Sequence, residues 1–181
     1  MSKGLYRFAL LVACATFLLI IAGANVTSHD AGLATSDWPR SNGTFFPKMV
    51  GNLFWEHGHR MVATAVGVLT IGLAVYLQFR ERRLWVRRLG WIALGGVIAQ
   101  GLLGGLTVKM NLPLAVSAAH ATLAQLFFLI TVSLAVFTSR NWVTPESTVS
   151  ENGDGLSLRT LCVAALAVML TQLVLGATLR H

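Results

Sequence analysis

Residues 54–79 read FWEHGHRMVATAVGVLTIGLAVYLQF. The stretch opens with a cluster of ionisable side chains and is then almost wholly apolar from Met61 to Phe79. About 20 predominantly apolar residues are enough for an α-helix to cross the hydrocarbon core of a bilayer. The stretch therefore predicts a membrane-spanning helix that carries its ionisable groups near one end.

Four more apolar runs of spanning length surround this one, at residues 8–26, 89–108, 114–137 and 159–179. The 181-residue chain is 55% hydrophobic and only 12% charged, whereas soluble domains carry roughly 25% charged residues. So few charges exclude a soluble domain, a disordered chain and a disulfide scaffold. The two cysteines, Cys14 and Cys162, lie inside apolar runs and are interpreted as small core residues.

We expect an all-α integral membrane protein. Residues 1–138 form a four-helix transmembrane bundle, residues 139–158 a flexible cytoplasmic linker, and residues 159–181 a fifth transmembrane helix. A short internal similarity, QxxLG at 100–104 and again at 172–176, indicates that the fifth helix begins a second repeat. Such short apolar matches also arise by chance.

Positive charges are distributed unevenly between the two sides of the predicted membrane. The net charge is +7, and excess Lys and Arg in short loops marks the cytoplasmic side of membrane proteins. We therefore expect a cytoplasmic N-terminus, an external 27–53 loop and no nucleic-acid partner. Nine basic residues fall on the cytoplasmic side, namely Lys3, Arg7, Arg80, Arg82, Arg83, Arg87, Arg88, Arg140 and Arg159, against four opposite, namely Arg40, Lys48, Lys109 and Arg180.

Ionisable groups within membrane helices are functional candidates, because burying them in hydrocarbon is costly. Glu56 and His59 share a helix face at spacing i, i+3, with Arg60 beside it, whereas His57 points away. His120 lies in the fourth span. His59 and His120 start roughly 8 and 10 Å below the same surface, at 1.5 Å per residue.

Two imidazoles at matching depth on two helices can bracket the iron of a haem. Small residues on the same faces, Ala63, Gly67 and Ala124, leave room for a porphyrin. A zinc site lacks further ligands. Two alternatives stay open: the histidines can be hydrogen-bonded packing residues, and Glu56 can be an interfacial partner of Arg60. Arg60 near the surface is also placed to pair with a haem propionate.

Taken together, these residues resemble the haem A synthase family. The motifs that carry the resemblance are VTSHDAGL at 26–33, DWP at 37–39, EHGHR at 56–60, QGLLGGLTV at 100–108 and HA at 120–121. The resemblance covers nearly the whole chain in order. It implies eight spans in two related four-helix halves, of which this chain carries the first half and the fifth helix. We therefore expect either three further spans or self-association into a homo-oligomer.

The resemblance also assigns roles to residues. It implies that His59 and His120 are axial ligands to haem iron, that haem O is the substrate, and that Glu56 is the essential catalytic carboxylate. A haem b cofactor belongs to the second half, which has no counterpart here. Thr35 and Ser36 stand where some family members carry a cysteine in the first loop, which excludes a disulfide relay there.

The function implied by the resemblance is a membrane oxidoreductase. It oxidises one ring methyl of haem O to a formyl group, giving haem A for cytochrome oxidase assembly. We expect the protein in the bacterial cytoplasmic membrane, with the site near the outer face. The expected partners, besides the lipid bilayer, are haem O synthase and cytochrome oxidase assembly factors. The alternative is a b-type haem-binding electron-transfer or haem-carrier subunit without porphyrin chemistry.

Overall fold

The structure is a computed structural model that describes residues 3–143 and, beyond them, residues 160, 163, 164, 166–168, 171, 172, 175 and 176. Four long helices dominate the described part, and each is long and apolar enough to cross a membrane. They are α1 Lys3–Ser28, α2 Asn52–Arg80, α3 Leu84–Lys109 and α4 Leu114–Phe137, followed by a single-turn helix, α5 Arg140–Val143. The prediction of an all-helical, multi-pass membrane protein is confirmed.

The four helices form an antiparallel bundle with short connections at 81–83 and 110–113 and a long loop at 29–51. Helix α1 packs on α2 and α4, and α3 packs on the same two helices. Helices α2 and α4 therefore lie on a diagonal of the bundle. We call the end that carries residues 29–51 and 110–113 the loop end, and the opposite end, which carries residues 80–83, the arginine end.

The packed apolar core is concentrated toward the arginine end of the bundle. Its buried members come from the start of α1 and α3 and from the later turns of α2 and α4. They include Leu5, Ala9, Val12, Leu73, Leu77, Val86, Ala93, Phe127 and Leu134. The loop-end half of the bundle holds His59 and His120 instead.

Helix ends extend beyond the apolar runs that predicted them. Helix α3 begins at Leu84, so Arg87 and Arg88 lie in its first turns rather than in a loop. Helix α1 begins at Lys3. Hydrophobicity marks only the segment in hydrocarbon, whereas the hydrogen-bonded backbone continues into the polar interface.

Three sequence expectations need separate comment. Cys14 is exposed on the outer surface of α1, so its assignment to the core was wrong; a thiol is apolar enough to face lipid as well as a core. The fifth helix at 159–181 and the 144–158 part of the linker fall largely outside the described residues. The cytoplasmic orientation of the N-terminus stays a prediction.

The 29–51 loop folds back over the loop end of the bundle. Ala31 and Ser41 are fully buried. The Trp38 indole lies against Gly105 of α3, where an added Cβ would come within 2.6 Å of the ring. Gly105 therefore accommodates a loop tryptophan, whereas Gly101, one turn earlier, is exposed with no atom within 4 Å of an added Cβ.

Candidate functional site

His59 and His120 lie at matching depth on the two diagonal helices. His59 is seven residues after the start of α2 and His120 six after the start of α4, which is about 10 and 9 Å along the helix axes. The sequence prediction of equal depth holds with the observed helix bounds.

Each imidazole packs against a glycine on a neighbouring helix. A Cβ added at Gly23 of α1 would lie 3.1 Å from Cε1 of His59, and one added at Gly104 of α3 would lie 3.2 Å from Cε1 of His120. Both distances are tighter than ordinary van der Waals contact. The glycines therefore provide the flat surfaces on which the two rings rest.

Polar atoms without hydrogen-bond partners gather around these rings. Within the described part of the chain, Nδ1 of His59 and Nδ1 of His120 are both buried and unpartnered, as are Oε1 of Gln100 and Oγ of Ser117. Buried polar atoms are nearly always hydrogen-bonded in proteins, so such a group calls for a ligand, an ion or water.

The residues fit a haem between the two histidines. One ring nitrogen of each is free to bind a metal, and Gly67, two turns below His59 on the same face of α2, has open space around an added Cβ. Among the described residues no group of three or more His, Cys, Asp or Glu side chains is close enough to hold a metal ion alone. A two-nitrogen axial site suits haem iron better than zinc.

Glu56 and Arg60 point to the 29–51 loop. The Arg60 Nη2 donates to Oε1 of Glu56 in an i, i+4 ion pair, while the backbone N–H of Thr35 donates to Oε2 of Glu56 at 3.0 Å. The Arg60 Nη1 lies 2.8 Å from the carbonyl oxygen of Asp37, 2.9 Å from that of Arg40 and 3.1 Å from Oγ of Ser41.

This cluster, which we call the loop clamp, joins α2 to the loop through charge-assisted hydrogen bonds. Glu56 is only 4% exposed, so its charge requires Arg60 and the backbone donors around it. The predicted pairing of Glu56 with Arg60 is therefore present. Contact of Arg60 with a haem propionate stays a prediction.

His57 has a structural role that its sequence position did not reveal. Its ring is buried, with Nδ1 2.8 Å from Oγ of Ser41 and Nε2 3.0 Å from the carbonyl oxygen of Phe45. The helical period turns it away from His59, as expected, and toward the loop. His29 instead stacks on Trp55 with ring centroids 4.1 Å apart.

Comparison with known proteins identifies relatives of the chain. Residues 49–181 match the sequence model of the COX15-CtaA family, described as cytochrome oxidase assembly protein. The chain belongs to this family. It is 29% identical over 185 residues to the heme A synthase of Symbiobacterium thermophilum, which covers 99% of this chain and 60% of that protein.

Two further similarities are shorter. The heme A synthase of Lysinibacillus sphaericus is 33% identical over 113 residues, which cover 59% of this chain and 36% of that protein. The protoheme IX farnesyltransferase of Haloarcula marismortui is 43% identical over 65 residues, which cover 35% of this chain and 13% of that protein. The chain thus spans less than two thirds of these relatives. No solved structure matches it.

Gln100 lies in the candidate site, although the sequence did not identify it as a site residue. Its Nε2 donates to the backbone carbonyl oxygen of His120 at 2.9 Å and lies 3.5 Å from Nε2 of the same residue. In the sequence, Gln100 belongs to the QxxLG repeat and to the QGLLGGLTV motif, neither of which assigns it a role of its own. The available signal was its polar side chain in the middle of a predicted membrane helix.

Proposed function

We propose that this chain binds haem between His59 and His120 and works in haem A biosynthesis. The substrate is haem O, and the reaction is the four-electron oxidation of one ring methyl to a formyl group, in which water supplies the oxygen atom and an external acceptor takes the electrons while four protons are released. The observation that carries the proposal is the pair of buried ring nitrogens without partners, at equal depth on diagonal helices. The names of the relatives support the choice of haem A chemistry.

The loop-end half of the bundle suits a large planar ligand. The fully buried apolar side chains cluster toward the other end, and a glycine of a neighbouring helix lies against each of the two imidazoles. A haem held by His59 and His120 would supply electron transfer. The protein's task is then to hold the porphyrin under the loop.

Glu56 is our candidate for the carboxylate that assists the oxidation. It lies one turn toward the loop end from His59 and on the same face of α2. A carboxylate there can take up a proton or stabilise positive charge that develops at the reacting carbon. Its Oε1 already accepts from Arg60 and its Oε2 from Thr35. Glu56 can therefore assist the oxidation only if at least one of these hydrogen bonds is broken.

A second candidate function is a haem-binding electron-transfer or carrier subunit. It is favoured by the hydrogen bonds that Arg60 and Thr35 donate to the two carboxylate oxygens of Glu56. In this function the carboxylate has only a structural role. The two functions differ in one product. Membranes that contain the chain convert added haem O to haem A only if the first proposal holds.

The location and partners follow the same proposal. We place the protein in the bacterial cytoplasmic membrane with the loop end at the outer face. An enzyme that prenylates haem supplies haem O, and cytochrome oxidase assembly factors receive haem A. The similarity to a protoheme IX farnesyltransferase supports the first of these partners.

The direct test is haem binding by the purified chain. With haem added, the wild type should give a low-spin spectrum with two nitrogen ligands. His59→Ala and His120→Ala should each give a high-spin or haem-free protein. Retention of the low-spin spectrum by either alanine variant would reject the proposed ligation.

A further inference from the structure

Helix α3 holds the helix segment that carries His120 at two points one turn apart. Gly104 provides the surface for the His120 ring, and Gln100, four residues earlier on the same face, donates a hydrogen bond to the His120 backbone. The bond is 2.9 Å long and joins two helices that are neighbours in the bundle.

The Gln100 amide also restricts the imidazole itself. Its Nε2 lies 3.5 Å from Nε2 of His120, so the amide abuts one edge of the ring while Gly104 abuts another. A ring enclosed on two sides retains one orientation. Nδ1 of His120, the nitrogen away from the amide, is the one left without a partner among the described residues.

The Oε1 atom of Gln100 is buried without a partner in the described part of the chain. A glutamine in a membrane interior is costly unless its polar atoms are used. The donor half of this amide is used on His120, and the acceptor oxygen is left without a partner among the described residues. The donor half therefore relates Gln100 to the candidate haem site.

We propose that Gln100 is a positioning residue for His120, and that it fixes the direction of the second axial ligand to haem. This rests on the proposed function, because it requires His120 to bind iron. Loss of an outer-sphere partner typically weakens a metal site by about 10–100-fold. We expect the low end, about tenfold weaker haem binding, because Gln100 acts on the backbone of His120.

The chain offers a matched control at the arginine end. Gln78 of α2 also makes interhelical hydrogen bonds: its Oε1 accepts from Nε1 of Trp91 at 3.1 Å and from Nε of Arg87 at 3.4 Å, both on α3. Gln100→Met and Gln78→Met each remove one glutamine amide and keep a side chain of similar length. Only the first is next to a proposed ligand.

The experiment measures haem affinity and the electron paramagnetic resonance spectrum of the whole chain, titrated with ferric protohaem in detergent. Gln100→Met should weaken binding about tenfold and shift or broaden the low-spin signal, because the His120 ring is free to turn. Gln78→Met should match the wild type in both. Equal spectra and affinities for Gln100→Met and wild type would overturn the proposal.

A double-mutant cycle shows whether Gln100 acts through His120. The cycle is measured at ferric protohaem concentrations high enough for each histidine variant to bind through its remaining ligand. Gln100→Met should weaken haem binding further in the His59→Ala background but add nothing in the His120→Ala background. A full additional loss in the latter would overturn the proposal. If Gln100→Met aggregates, Gln100→Asn, whose amide is one methylene shorter, is used in the same cycle.

Failure of the proposed function gives a different result. In that case the wild type itself binds no low-spin haem, and neither histidine variant differs from it. A wild type with a normal low-spin spectrum and an unaffected Gln100→Met variant would reject only the positioning role.

Discussion

Glu56 and Arg60 form an ion pair one turn apart on α2, and each of them also binds the backbone of the 29–51 loop. The pair thus couples the helix that carries His59 to the loop that covers the site. Any substitution at Glu56 therefore has two possible effects, one on the chemistry and one on the position of the loop. Arg60 allows the two to be separated.

We expect Glu56→Gln to retain low-spin haem but to lower haem A formation by about 10² or more, the scale of lost general acid–base assistance. Arg60→Gln disrupts the same ion pair and the loop contacts but leaves the carboxylate in place. It should cost clearly less activity. The measurement is conversion of added haem O in membranes containing each variant.

Equal losses in the two variants would instead indicate that the carboxylate serves only the loop clamp. Full turnover by Glu56→Gln would reject the catalytic use of this carboxylate, and haem A formation would then depend on other groups. Proteolysis of the loop in each variant reports the structural part, because the loop clamp protects the backbone at 35–41.

The glycines beside the histidines give a second prediction. Gly104→Ala should weaken haem binding by roughly tenfold, because overpacking costs about 1–3 kcal/mol and each 1.4 kcal/mol is a factor of ten. The added Cβ would lie 3.2 Å from His120 and displace the ring. Gly101→Ala on the same helix, with open space around its Cβ, is the control and should bind haem normally.

His57 yields a third prediction that separates it from its neighbour. His57→Ala removes one of the partners of the Ser41 hydroxyl and the side-chain partner of the Phe45 carbonyl, so residues 41–45 should become more accessible to protease. The low-spin haem spectrum should stay close to that of the wild type, since the side chain faces away from His59. A loss of haem comparable to that of His59→Ala would contradict the assignment of faces.

Much of this arrangement was accessible from the sequence because it depends on hydrophobic length and helical period. Hydrophobic length gives the four spans, and the distance from each helix start gives the shared depth of His59 and His120. The helical period gives the opposite direction of His57. The loop clamp was only half visible. The Glu56–Arg60 pair follows from i, i+4 spacing, whereas its loop partners are the Ser41 hydroxyl and backbone atoms, and residue spacing does not identify such partners.

Gln100 and Gly105 show the other limit. Each acts through a neighbour that is distant along the chain, His120 in one case and Trp38 in the other. Neither residue has a role that the sequence assigns, because helical period and composition carry no information on contacts between elements. Such contacts depend on how the helices and the loop assemble.

The arginine end provides a prediction for pH. The Arg83 guanidinium hydrogen-bonds both oxygens of Glu81, at 2.9 and 3.0 Å, and also donates to the Phe137 carbonyl oxygen at 2.7 Å. These hydrogen bonds hold the pKa of Glu81 below its ordinary value of 4.5. A carboxylate whose pKa is lowered by folding stabilises the protein fully above that ordinary value, and the contribution is lost as the pH falls through the folded pKa.

Thermal unfolding in detergent checks this dependence. The wild type should lose stability on acidification below pH 4.5 more steeply than Glu81→Gln, which has no charge to lose. Above that pH the wild type should be the more stable of the two. Parallel curves over the whole acid range would mean that the Glu81–Arg83 bridge contributes nothing to the fold.

The orientation of the bundle is the last prediction, and it determines on which side of the membrane the candidate site opens. Phe46 in the 29–51 loop is 85% exposed and Arg82 in the 81–83 turn is also exposed, so a cysteine at either position is accessible to a label. In a background with Cys14 and Cys162 replaced by Ser, an impermeant maleimide added to whole cells should label Phe46→Cys and not Arg82→Cys. After the cells are broken, both should react.

The excess of Lys and Arg at the arginine end favours this result, because basic loops are retained in the cytoplasm. Labelling of Arg82→Cys alone in whole cells would invert the bundle, and the site under the loop would then open to the cytoplasm.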